Sequence, residues 1–479
     1  MRSEKRRNHE TEAGLFMEKE LYPLNVGQEL QYLPIRTTGS QRTCNISVFC
    51  GLQSEIDFGL LKHAVQDEFK RADCLRLRFT APDADGNIMQ YVADRDDRDI
   101  SFLDLSGLSM TDADAFLQAK SYEEYQAPDI PMATFTMVKM PEGYNGLYIH
   151  IDHRLTDSTA LIVTVNDIME IYCHYRFGSP YPAPLASFIE VLKKDLAKAN
   201  NQKRQAKDEA FWRDFLTANG EPIYSDIQGP GVLRASRKAH GDRTLCAADM
   251  EMKDHSVGIA DFHLEPEATQ GMMDFCMNHQ ISMANLILLA MRTYLSKMNG
   301  GQQDITLRNY VSRRSTRDEW TCGGSRTLAY PCRTIITPDT EFLDAAYKIQ
   351  DVQNKVYLHS NFDPIRLNAM MKELYPTPDH TEYISMSLTY QPMPVRMQNE
   401  HLKGIQVRSV WYPNAASTKK IYLTVTHSTN DGGLIFDYHY QKASLTYDDM
   451  EKLYYYMMRI LYKGIEEPDM TIGEIITYI

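Results

Sequence analysis

The chain has no Cys-x-x-Cys and no paired Cys/His spacing, so zinc sites and dithiol redox couples have no sequence basis. Its eight cysteines (Cys44, Cys50, Cys74, Cys173, Cys246, Cys276, Cys322 and Cys332) are scattered through apolar or mixed segments, a usage that fits reduced thiols and a cytoplasmic location. Long apolar runs are missing too. The longest, near residues 286–291, is far too short to span a bilayer. The first residues, 1–12, are basic and polar and lack the apolar stretch of a secretory signal, so residues 1–20 are read as a flexible N-terminus. Positive charge is in deficit: 51 Lys and Arg against 64 Asp and Glu give a net charge of -13. That balance argues against nucleic acid or an anionic membrane as partner. The triplet Gly229-Pro230-Gly231 is not followed by the Lys-Ser/Thr of a phosphate-cradling loop.

What is present is ample apolar material. With 479 residues, 43% of them hydrophobic, the chain can bury a large core and is expected to form two lobes. The first is expected over 21–200 and the second over 201–479.

One stretch organises the rest: Gly146-Leu-Tyr-Ile-His-Ile-Asp152-His153-Arg-Leu-Thr-Asp157-Ser158. Residues 147–151 alternate as a half-buried strand does. After Asp157, apolar residues Leu161, Ile162, Val165, Ile168, Met169 and Tyr172 recur at helical spacing, with Ser158 expected as the N-cap. A strand, a short loop carrying His and Asp, then a helix can hold an imidazole rigidly at the edge of a cleft.

His-x-x-x-Asp occurs four times, and about one match is expected by chance, so context decides among them. His63 and Asp67 lie in a helical pattern, where pairing on a solvated face suffices. His427 and Asp431 flank a hairpin turn between the alternating runs 421–426 and 434–440. His359 and Asp363 precede Pro364 in an irregular segment. Only His153 has a strand before it and a helix after it.

Elsewhere, strands are expected at 44–51, 74–79, 87–92, 100–103 and 133–138, with helices at 60–73 and 112–124. Residues 187–215 read as a charged helical connection between lobes, and 221–231 and 234–243 as loops. The second lobe is expected to open with a strand at 262–264 and helices at 265–279 and 283–299. Strands at 304–311, 329–336 and 384–389 follow, then an aromatic- and Met-rich core helix at 447–463. This order roughly echoes the first lobe.

Several of these stretches, in this order, resemble the condensation domains of nonribosomal peptide synthetases, which belong to the chloramphenicol-acetyltransferase-like superfamily. Pro23-Leu-Asn-Val-Gly-Gln28 resembles the opening Gln-containing motif. Arg71-Ala-Asp-Cys-Leu-Arg76-Leu-Arg-Phe79 resembles the Arg-His-Glu-x-Leu-Arg-x-x-Phe segment. Asp152-His153-x-x-x-Asp157-Ser158 resembles the His-His-x-x-x-Asp-Gly core, with Asp152 in place of the first His and Ser158 in place of the Gly. The strand and basic loop 304–314, Gly323-Gly324 through Arg333, and Asn361-Phe-Asp-Pro-Ile-Arg-Leu367 resemble the later motifs.

The resemblance implies an α/β (α+β) fold of two chloramphenicol-acetyltransferase-like lobes in a pseudo-dimer, with an active-site tunnel between them. It implies a free-standing condensation-type acyltransferase. The acyl group would move from a thioester, on CoA or on the phosphopantetheine of an acyl or peptidyl carrier protein acting in trans, to a small amine or alcohol. His153 is then the general base, and Asp157 a structural residue paired with Arg314 from the other lobe, with Arg313 as the competing arginine. Asp152 and Ser158 complete the structural set. No tightly bound cofactor or metal is implied, cofactor-binding residues are unassigned, and a monomer suffices. The two departures favour an alternative, a catalytically inactive condensation-like binding or docking module. A third reading is an ester-forming transferase using CoA and a small alcohol or sugar.

Overall fold

A computed structural model describes residues 19–479 except 97, 126–127 and 394–398, so the expected flexible N-terminus lies, up to residue 18, outside the described residues. Two mixed sheets dominate. In the first, the strands run in the order Val407–Trp411, Asn45–Gln53, Tyr144–Asp152, Ala133–Lys139 and Ser101–Asp104. Every pair is antiparallel except the last. Alternation along the central strand assigns its two faces. Leu147, Ile149 and Ile151 join the core under the helices Phe58–Arg71 and Ser158–Phe177, whose Leu61, Ala64, Val65, Leu161 and Ile168 are all buried there. Tyr148 packs on the opposite face with Phe49, Leu117 and Tyr412.

The second sheet runs Thr327–Ile335, Asp304–Ser312, Met386–Gln391, Ile421–His427, Leu434–Gln441 and Val257–Leu264. Its apolar face, with Leu388, Leu423, Val425, Phe436 and Tyr438, lies against the helices Met283–Met298, Phe342–Leu358 and Tyr447–Glu466. The Met-rich stripe of the last helix, including Met450, Met457 and Met458, is core as expected. The other face of this sheet is polar and takes part in the site described below.

The connection expected at 187–215 is two helices, broken at Asn200-Asn201. Phe188–Ala199 packs Phe188 and Leu192 on the first lobe, and Gln202–Thr217 packs Trp212 and Leu216 on the second. Strand Val407–Trp411 departs from its sequence neighbours and pairs with Asn45–Gln53 on the edge of the first sheet. Two local expectations are corrected. Residues 74–79 make a single turn over Asp73–Arg76 before a short strand, Leu77–Phe79. The polar stretch 234–243, expected as a loop, belongs to the helix Gly231–His240, which buries Leu233 and Ser236 and ties Arg237 Nε to the Leu245 carbonyl at 2.7 Å. Burial of one narrow stripe outweighs an otherwise polar composition.

Candidate active site at the lobe seam

Strand Tyr144–Asp152 delivers His153 to the seam between the lobes, where the His153 N–H donates to the Cys44 carbonyl at 2.6 Å. The imidazole is half-buried, and its Nδ1 is buried without a hydrogen-bond partner. Burial lowers its pKa from the ordinary 6.5, against the pull of its own carbonyl and the Asp157 and Asp152 carboxylates. A neutral imidazole is therefore the form present near neutral pH.

Asp152 is fully buried and bonds Arg154 at 2.9 Å (Nε) and 2.7 Å (Nη2), with Gln41 Nε2 at 2.7 Å. Burial alone would raise its pKa, but the Arg154 guanidinium outweighs this and lowers it. Arg154 in turn lies over the rings of Phe79 and Tyr32, 4.4 and 5.3 Å from the centroids. The residue standing where the family has its first histidine thus anchors the strand end.

Asp157, rather than the expected Ser158, caps the helix Ser158–Phe177: its carboxylate accepts from Ala160 N–H at 2.9 Å. Both residue types cap well, and the tertiary partners select Asp157. The same carboxylate accepts from Arg326 N–H at 2.9 Å and from Arg314 Nη2 at 3.0 and 3.1 Å. Arg314 also donates to the Gly324 and Cys322 carbonyls, each at 2.9 Å, and to that of Glu319. Arg313 turns the other way and bonds Ser360 Oγ at 2.6 Å and Asn361. Burial pushes the Asp157 carboxyl upward, yet Arg314 and the backbone donors hold it below the usual carboxylate value. Beside it, Thr156 and Gly324 form a parallel bridge between the lobes. Gly324 has φ +82°, and a Cβ there would sit 2.1 Å from the Phe188 ring, so only glycine fits.

Ser158 Oγ donates to Gln391 Oε1 across the seam at 2.9 Å. From the second lobe come the polar side chains of its sheet. Tyr422 OH lies 2.7 Å from Thr389 Oγ1, and the Lys419 ammonium sits over Tyr310 and Tyr422, 5.2 and 5.0 Å from the ring centroids. The Lys419 charge acts on both His153 and His439. His439 pairs with Asp437 at 3.2 Å, and Asp261 stands directly across the ladder from Asp437. Burial, then the facing Asp437 charge, push the Asp261 carboxyl up to about 7.

The other three His-x-x-x-Asp matches go elsewhere. His63 is exposed, and Asp67 pairs with Lys70 at 2.8 Å instead. His359 bonds Asp208 at 2.8 Å, while Asp363 caps the helix Pro364–Leu374. His427 bonds Tyr390 OH at 2.7 Å, and Asp431 sits in the hairpin turn beside His263. Among the described residues no group of three or more His, Cys, Asp or Glu is placed to hold a metal. Sequence reasoning missed Gln391, Lys419 and the Asp261–Asp437–His439 wall. Asp437 and His439 lie on the polar half of the alternation in 434–440, a pattern that by itself marks only a hairpin, while Gln391, Lys419 and Asp261 fall outside the runs expected as strands.

Two sheet-and-helix lobes, one strand crossing between them and a histidine loop clamped across the seam define the chloramphenicol-acetyltransferase-like class. Within it, the model of the condensation domain matches residues 18–478, and the chain belongs to that family. Condensation domains are acyl- and amide-forming transferases. The chain is similar to surfactin synthase subunit 1 of Bacillus subtilis (strain 168), 23% identical over 96% of this chain and 12% of that protein. It is also 23% identical to the dimodular nonribosomal peptide synthase of the same organism, over 95% of this chain and 18% of that protein. It thus spans less than a fifth of either relative. Among solved structures, the first condensation domain of the calcium-dependent antibiotic synthetase, in complex with a substrate analogue, aligns with a TM-score of 0.77 at 16% identity, covering 95% of this chain and 99% of that one. A variant of the starter condensation domain of rhizomide synthetase in complex with C8-CoA aligns with the same score and identity, covering 95% and 96%.

Proposed function

We propose that this protein transfers an acyl group from a thioester, on a carrier-protein pantetheine or on CoA, to an amine or hydroxyl acceptor, with His153 as general base. The observation that carries this reading is the division of labour in the motif. Asp157 is fully engaged by Arg314 and two backbone N–H groups, which leaves His153 as the titratable group of the loop, buried enough to stay neutral.

In the reaction, the acceptor nitrogen or oxygen attacks the thioester carbonyl carbon while its proton passes to the His153 imidazole. The carbonyl electron pair moves to oxygen. Collapse of this adduct re-forms the carbonyl and breaks the C–S bond, and the thiolate takes the proton from the imidazolium. A positioned base of this kind contributes about 10²–10⁴-fold. The polar wall of Thr389, Tyr422 and Asp437 supports a polar acceptor entering from the second lobe. One chain supplies both sides of the seam, so a single copy suffices.

The test is acceptor-dependent thiol release from acyl-CoA and acyl-carrier thioesters by wild type and His153→Ala. Release that needs the acceptor and is lost in the variant supports the reading. Equal release from both, or none with any donor, moves the assignment to a binding or docking module.

A further inference from the structure

At the seam the carboxamide of Gln391 holds a buried donor without a hydrogen-bond partner. Gln391 ends strand Met386–Gln391 and is only 6% exposed, and its Nε2 has no hydrogen-bond partner. Its other amide atom, Oε1, is held by the Ser158 hydroxyl at 2.9 Å. The two arms of a carboxamide diverge, so fixing Oε1 on Ser158 turns Nε2 away from that hydroxyl. Buried donors are nearly always satisfied, and one that is not needs a reason. Here the reason lies in the surroundings. Ser158 opens the first turn of the helix that follows the His153 loop, where backbone N–H groups lack intrahelical partners and the helix end is positive. The amide is thus a neutral donor held beside a positive helix end, five residues past the proposed base.

We propose that Gln391 donates its Nε2–H to the thioester carbonyl oxygen and holds it as the electron pair moves onto it, and that Ser158 positions Gln391 for this. The assignment rests on the acyl-transfer reading above. It gives the serine that replaces a glycine a purpose: its hydroxyl recruits a donor from the opposite lobe. A donor aimed at developing charge is worth about 10²–10³-fold in kcat.

Three variants test this, each assayed for kcat, KM and unfolding midpoint. Gln391→Glu keeps an oxygen for Ser158 and removes the donor, so kcat is expected to fall by about 10²-fold or more with KM changed little. Gln391→Met removes the unmet donor at similar volume, and is expected to lose kcat to about the same extent while its unfolding midpoint is unchanged or higher. Ser158→Ala leaves Gln391 present but unheld, with an expected loss of about tenfold in kcat and unchanged KM. A residue that merely clasps the lobes would do the opposite, lowering the midpoint and sparing kcat. Wild-type kcat in folded Gln391→Glu or Gln391→Met overturns the proposal. Should both fail to fold, wild-type kcat in Ser158→Ala overturns it. Absence of thiol release from the wild type would instead overturn the acyl-transfer reading on which it rests.

Discussion

Replacing Arg314 by alanine tests whether the seam is held by one buried ion pair. The Asp157 and Arg314 side chains are 1% and 0% exposed, and the guanidinium satisfies the carboxylate and the carbonyls of Gly324, Cys322 and Glu319. Removing it strands a buried carboxylate, a loss of about 3–5 kcal/mol. The abandoned carbonyls push the total toward the upper end of that range. The Ala160 and Arg326 N–H donors remain and limit it. In a double-mutant cycle with Asp157→Asn, the losses should fall short of additive by about 1–3 kcal/mol, because neither group is then left charged and alone. The pH dependence has a definite sign. In the wild type Asp157 is depressed when folded, so its contribution is present above the unfolded value of about 3.9 and is lost as pH falls through the lower folded value. Without Arg314, burial dominates and the carboxyl rises above its unfolded value, so protonation relieves the stranded charge and the variant's deficit relative to the wild type should shrink as pH falls from neutral through the raised folded value. Urea unfolding of the four proteins at neutral pH and near pH 5 provides the assay. A loss below about 1 kcal/mol, or strict additivity, would refute the clamp.

Other consequences follow from the same geometry. Burial lowers the His153 pKa, so on the proposed role of His153 as general base the acid limb of kcat/KM should fall below the ordinary imidazole value of 6.5; a limb above it contradicts this environment. Gly324→Ala must place a Cβ against Phe188 at a positive φ, so it should lose about 2–5 kcal/mol and lower activity by loosening the Thr156 bridge. A midpoint within about 1 °C of wild type would show that Phe188 yields freely.

Much of this arrangement was legible in the chain because it is local. Alternation in 147–151 followed by the helical spacing of Leu161, Val165 and Ile168 placed His153 at a strand end before a helix. The ordered motifs pointed to Arg314 across the seam, where it meets Asp157 at 3.0 Å. Distinctions set by distant contacts were not legible. Asp157 and Ser158 are both good caps, and a guanidinium 157 residues away decides between them. Gln391 falls beyond the strand expected at 384–389, and its partner lies 233 positions earlier. Strand Val407–Trp411 was missed because the sheet it completes belongs to the first lobe. The helix Gly231–His240 was missed because its apolar stripe is narrow, with only Leu233 and Ser236 buried in an otherwise polar stretch.

The central claim, that the chain transfers acyl groups through His153, is most directly tested by following thiol release from a panel of acyl-CoAs and acyl-carrier thioesters with pooled amine and alcohol acceptors. Wild type and His153→Ala, matched for folding by their unfolding midpoints, are run side by side. The account predicts acceptor-dependent release by the wild type that falls by about 10²–10⁴-fold in the variant. Equal release by the two proteins, or none from any donor, would contradict it and leave His153 as a structural residue of a binding module.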